Sequence, residues 1–102
     1  MPERLTEQQI TDGLARIPQW ERRGDAIVRE FQFADFVAAL GFIVEDGALA
    51  ERAQHHPEIV NTYGHVRISL STHDAGGLTV RDLQLAEAIS ARVPWLRSQP
   101  TP

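Results

Sequence analysis

Four histidines, His55, His56, His65 and His73, fall inside one stretch, QHHPEIVNTYGHVRISLSTHD, of a chain of 102 residues. Three chemistries are open to them. Imidazoles can bind a metal, move protons near neutral pH, or decorate a solvated strand. Adjacent His55 and His56 project in different directions. The nearby carboxylates Glu51, Glu58, Asp74 and Asp82 follow no metal-site spacing, and there is no cysteine to help. No metal site is expected. His65 alternates with polar residues beside a turn, which suits a solvated strand face. One of His55 and His56 could simply complement the C-terminal dipole of a preceding helix. Acid–base work requires convergence, and the spacing supplies a reason for it. Tyr63 to His56 is seven residues back from a turn at Gly64, and His65 to His73 is eight forward. Antiparallel pairing about Gly64 should bring the histidine pair and His73 to one edge of the domain.

The elements that would position these groups follow from periodicity. LTEQQITDGLARIP reads as a helix opened by a capping box of Thr6 and Gln9, with Leu5 and Ile10 as staple and Pro18 as stop. QWERRGDAIVREFQF reads as a hairpin turning at Gly24-Asp25, with Ile27, Phe31 and Phe33 on one face and Arg29 on that face near an edge. ADFVAALGFIVEDGALAERAQ reads as a long helix capped by Asp35. Its stripe is Phe36, Leu40, Ile43 and Ala50, widened by Phe42, Val44 and Leu49 enough to face both a sheet and a second subunit. EIVNTYGHVRISLST is a second hairpin, HDAGG a loop, and LTVRDLQLAEAISARVP a last helix. That helix has Thr79 and Asp82 as capping box, Leu85, Ala86, Ile89 and Val93 as core face, and Pro94 as its end.

The order is α-β-β-α-β-β-α. It predicts an α+β two-layer domain, one four-stranded antiparallel sheet with helices packed on one face. One domain should occupy residues 1–102, with its core at about 5–95 and a loose tail at 96–102.

Composition narrows the functions. The net charge is −4 and the longest basic cluster is Arg22-Arg23, which argues against nucleic acid and anionic membranes as partners. All ten basic residues are arginine, so a lysine nucleophile or Schiff base is excluded. No cysteine means no disulfide or thiolate chemistry. The charged start MPERLTEQQI lacks an apolar signal region and no run reaches membrane length, so a cytoplasmic protein is expected.

Other candidates each have a plain structural role. Asp82 at the third helical position caps backbone N–H groups, and it could also orient a histidine; spacing leaves both open. Trp20 follows Pro18 at a helix-to-strand corner, where core packing competes with an aromatic wall for a planar ligand. Tyr63 beside a turn suits packing, and Glu51 and Glu58 suit solvent.

The spacing His55-His56-Pro57, Tyr63, His73, Asp82 resembles the signature of the pterin-4a-carbinolamine dehydratases. STHDAGGLTVRDLQLA is similar to that family's S-T-H-x-x-x-G-L-T-x-x-D-x-x-L-A. The likeness extends through RRGDAIVREFQFADF and the GF pair to Trp20, over roughly residues 5 to 92. The resemblance implies the same α+β fold and dimers or tetramers built through the sheet edge and the long helix. It implies loss of water from a 4a-hydroxytetrahydropterin, giving quinonoid dihydropterin, in tetrahydrobiopterin recycling. The pterin is then the substrate and no cofactor is needed. His55, His56 and His73 would line the pocket, with His55 and His73 as acid–base pair. Gln54, Pro57, Ser71, Thr72, Asp74 and Trp20 would contact the pterin, and Asp82 would support the histidines. A pterin-dependent aromatic amino acid hydroxylase would be the functional neighbour. Two other functions compete: an interaction protein of the same fold, acting as assembly factor or dimerisation cofactor, and a protein acting on a different pterin.

Overall fold

The computed structural model describes residues 2–97, the side chains of 93–97 excepted. Three helices and four strands follow one another as α1 (Glu7–Ala15), β1 (Glu21–Arg23), β2 (Ala26–Gln32), α2 (Phe36–Ala53), β3 (Glu58–Thr62), β4 (His65–Leu70) and α3 (Val80–Arg97). The expected α+β order is the order found. The sheet is antiparallel throughout and runs β1-β2-β4-β3, so the two longest strands are central.

Register explains the core. Ile27 pairs with Leu70 and Phe31 with Val66, so alternate residues of β2 and β4 lie on one face. Ile27, Phe31, Val66, Ile68 and Leu70 are buried there beneath Ile10 of α1, Phe42 of α2 and Leu85, Ala86 and Ile89 of α3. Phe31, Phe33 and Phe42 meet with ring centroids 4.6 to 6.4 Å apart. Polar Glu30, Gln32, Arg67 and Ser69 occupy the alternate positions. Tight turns hold the hairpins. Gly24 takes φ 62 between β1 and β2. At Gly64 a Cβ would stand 2.6 Å from the Phe33 carbonyl oxygen, so only glycine lets the two hairpins meet there.

The α1 capping box forms as read: Thr6 Oγ1 accepts from Gln9 N–H and Gln9 Oε1 accepts from Thr6 N–H. Asp35 caps α2 by accepting from Ala38 N–H at 2.8 Å.

Three expectations need correction. The inward face of α2 is Ala39, Phe42, Asp46 and Ala50, whereas Phe36 and Leu40 are exposed. The helix carries two apolar faces. The sheet takes the one that offers Phe42 with small alanines beside it, because small residues let helix and sheet approach closely. Arg29 lies just past the β1 pairing, which ends at Glu21 and Val28, so β2 is open on that side there, as expected. Its guanidinium lies 4.5 Å from the centroid of the Phe31 ring and donates to Ser90 Oγ, which makes a half-buried cation tolerable. The HDAGG segment contains a 3₁₀ turn, His73–Ala75, rather than plain loop. Pro94 lies within α3 instead of ending it; a proline removes one backbone donor without forbidding a further turn. Val93 as a core side chain, and residues 98–102 of the expected tail, fall outside the described residues. Among the described residues, no helix is long and apolar enough to cross a membrane.

Candidate active site

The site is built where two chain reversals meet. α2 ends at Ala53, and Gln54 adopts the left-handed conformation, φ 51 and ψ 43. The His55 N–H then returns to the Ala50 carbonyl oxygen at 3.1 Å. This turn aims successive side chains apart. His55 goes inward and is 8% exposed, while His56 goes outward and is exposed. Pro57 carries the chain into β3. Across the sheet, β4 stops at Leu70 and the chain enters the 3₁₀ turn, tied off by a bridge between Thr72 and Gly77.

The two reversals are joined by one buried carboxylate. Asp82 sits in the first turn of α3 and has no exposed surface. Its Oδ2 accepts from the Thr79 N–H at 2.9 Å and from the Thr72 hydroxyl at 2.8 Å. Its Oδ1 lies 2.6 Å from His55 Nε2. A carboxylate only accepts, so Nε2 carries a proton and Nδ1 is the basic nitrogen of neutral His55. With its own hydrogen given to Asp82, Thr72 Oγ1 is free to accept from Thr79 Oγ1, 2.8 Å away. The Thr79 hydroxyl oxygen in turn accepts from the Arg81 N–H. Capping and histidine orientation, open alternatives in the sequence, are performed together by the two oxygens of one residue.

In front of this network lies a cavity of about 200 Å³. Gln54, His55 and His56 form one wall. Ser71, Thr72, His73 and Asp74 form the other, and Arg81 closes it. His55, His56 and His73 thus meet at one edge. Their surroundings differ. His56 Nε2 meets Glu51 Oε1 at 2.7 Å on the surface. His73 is exposed, and its imidazole has no hydrogen-bond partner among the described residues. His65 lies away on β4, where it meets Glu30 at 2.7 Å.

Two expected contacts are not brought to the cavity. Trp20 is 3% exposed, packs edge-on against Phe31 and donates its indole N–H to Ser90 Oγ at 2.8 Å. It is core because the corner after Pro18 turns it under α3. Pro57 is half-buried beside the cavity without lining it. Three residues contribute to the site without having been expected there. Glu51 is exposed as expected, and it also meets His56. Thr79 completes the Asp82 network. Arg81 carried a signal: a cation in the first turn of a helix opposes the dipole, so helix stability does not explain it.

Among the described residues, no three His, Cys, Asp or Glu side chains are placed to share a metal ion. The fold and site together define a small α+β domain with a histidine-lined polar pocket backed by a buried aspartate. Residues 3–92 match the family model described as pterin 4 alpha carbinolamine dehydratase. The chain belongs to that family. It is 51% identical over 87 residues to a provisionally named pterin-4-alpha-carbinolamine dehydratase of Chloroflexus aggregans, an alignment spanning 84% of this chain and 93% of that protein. A counterpart from Chloroflexus aurantiacus is 49% identical over 86 residues, covering 84% and 92%. The crystal structure of a transcriptional coactivator/pterin dehydratase from Brucella melitensis superposes with TM-score 0.84 at 36% identity, covering 87% of this chain and 97% of that one. A pterin dehydratase-like RuBisCO assembly factor of the alpha-carboxysome, at 22% identity and TM-score 0.52, shares the fold. That alignment covers 79% of this chain and 89% of the other.

Proposed function

We propose that this protein removes water from a 4a-hydroxytetrahydropterin by histidine acid–base catalysis, leaving the quinonoid dihydropterin. The observation that supports this most is the contrast within one cavity between His55, fixed by Asp82, and His73, open to a ligand. In the reaction the C4a–O bond breaks and the hydroxyl leaves with an added proton as water. The N5–H bond breaks, and its electron pair forms the C4a=N5 double bond. One proton is given and one is taken, and no oxidation state changes overall, so a redox cofactor has no task.

Asp82 supports one assignment. A negative carboxylate beside Nε2 stabilises the imidazolium that forms when Nδ1 accepts a proton. His55 is therefore the base for N5. His73, held by nothing else, delivers the proton to the C4a hydroxyl. His56, steadied by Glu51, contacts the pterin at the rim with Gln54, Ser71 and Asp74. Thr72 acts as a positioning residue, since its hydroxyl is committed to Asp82. A pterin-dependent hydroxylating reaction, such as that of an aromatic amino acid hydroxylase, supplies the substrate in the cytoplasm.

A second copy of the chain completes the protein. Val37 and Val44 on the outer face of α2 are 75% and 72% exposed, beside Phe36 and Leu40. Such a stripe suits burial in a homo-oligomer. Sedimentation of the wild type should give a dimer or larger.

The test is a coupled assay in which an aromatic amino acid hydroxylase generates the 4a-hydroxytetrahydropterin. Wild type should speed its decay, and His73→Ala should lose on the order of 10²–10⁴ of the rate. Equal decay with wild type and with buffer rejects the reading and moves the search to protein partners.

A further inference from the structure

A second cavity, of about 390 Å³, adjoins the histidine pocket between the end of α2 and the start of α3. His55 and Arg81 belong to the walls of both. Its apolar lining is Leu49, Ala53, Leu85 and Ala88, and its charged groups are Arg52 and Arg81. No carboxylate lines it among the described residues.

The guanidinium groups of these two arginines, like that of Arg67 on β4, have no partner among the described residues. Arg16, Arg22, Arg23 and Arg92 each face a glutamate. Neither guanidinium of the groove makes an ion pair or hydrogen bond among the described residues. Two unpaired guanidinium forks over an apolar floor form a receptor for a carboxylate or phosphate on a short carbon chain.

Pterin chemistry brings such a chain to this place. C6 is bonded to N5. If His55 takes the N5 proton, the C6 substituent leaves the ring on the His55 side, at the mouth of the groove.

We propose that the groove binds an anionic C6 substituent, so that the preferred substrates are 4a-hydroxytetrahydropterins with acidic tails. This inference rests on the dehydratase reading. The test compares three substrates that carry a hydroxymethyl group, its phosphate ester or a carboxylate-ended chain at C6. An acidic tail should lower KM by on the order of tenfold or more relative to the neutral one, with kcat little changed. Arg52→Gln should abolish that preference and leave turnover of the neutral substrate within about twofold. Which of the two anions gains more identifies the source of the tail. Equal KM values for all three in wild type overturn the inference while leaving the dehydratase intact. So does an Arg52→Gln defect of equal size on every substrate. If none is turned over, the dehydratase reading fails. Fluorescence titration with the corresponding stable dihydropterins then decides the groove: tighter binding of the acidic ones by wild type but not by Arg52→Gln upholds it, and equal binding overturns it.

Discussion

Asp46 and Asp82 are both fully buried carboxyls on helices, and they could hardly be more differently treated. Asp82 receives three donors from three segments of the chain. Asp46, on the inner face of α2, has both oxygens unpartnered among the described residues. Burial raises its pKa to about 8, with Glu45 beside it adding to the shift. Burying a carboxylate costs free energy unless donors replace water. At Asp82 the donors are present, and the residue ties the histidine, the end of β4 and the start of α3 together. At Asp46 none is present, so the proton stays and the group carries little charge at neutral pH.

The largest effect expected on this contrast comes from Asp82→Asn. An amide offers one acceptor oxygen where the carboxylate offers two, so a buried donor must face the amide NH₂. Urea unfolding should show a loss of about 1–3 kcal/mol for each donor left without an acceptor. Unchanged stability would mean that the network contributes nothing to folding.

Asp46 should respond to pH with the opposite sign to an ordinary paired carboxylate. In the unfolded chain it loses its proton near 3.8, and in the folded chain near 8. Between those values the folded state binds more protons, so stability falls as pH rises, by up to ~1.4 kcal/mol per pH unit. Asp46→Asn should flatten that slope in urea melts across the interval. A slope that survives the substitution would assign it to another group.

The smallest effect belongs to His65. Its contact with Glu30 is at the surface, and exposed pairs contribute about 0–1 kcal/mol. His65→Ala should leave dehydration within about twofold of wild type, because the residue lies outside the cavity. Damage equal to that of His73→Ala would break the sorting of the four histidines.

Much of this was legible in the sequence. Local signals were the clearest: Thr6 with Gln9 named the start of α1, Gly24-Asp25 and Gly64 named the turns, and counting outward from Gly64 brought the histidines together. Two kinds of feature were hidden. The first is the choice between equivalent faces. α2 has apolar residues nearly all round, and an aspartate on its inner face disguised which side is packed. Arg29 and Trp20 hide in the same way, since only the packed sheet shows that Ser90 and Phe31 serve both. The second is the sharing of one side chain between tasks. Spacing marked Asp82 as a cap or as a histidine partner, but not as both, because the distance from residue 55 to residue 82 is set by tertiary packing. Arg81, whose side chain stands between two cavities, is invisible for the same reason.

The central claim is that His55, oriented by Asp82, is the base of the reaction. The direct measurement is the decay rate of the 4a-hydroxytetrahydropterin with His55→Gln protein, its fold checked by circular dichroism. A fall on the order of 10²–10⁴ from the wild-type rate is predicted. A folded His55→Gln protein that matches wild type would contradict the claim.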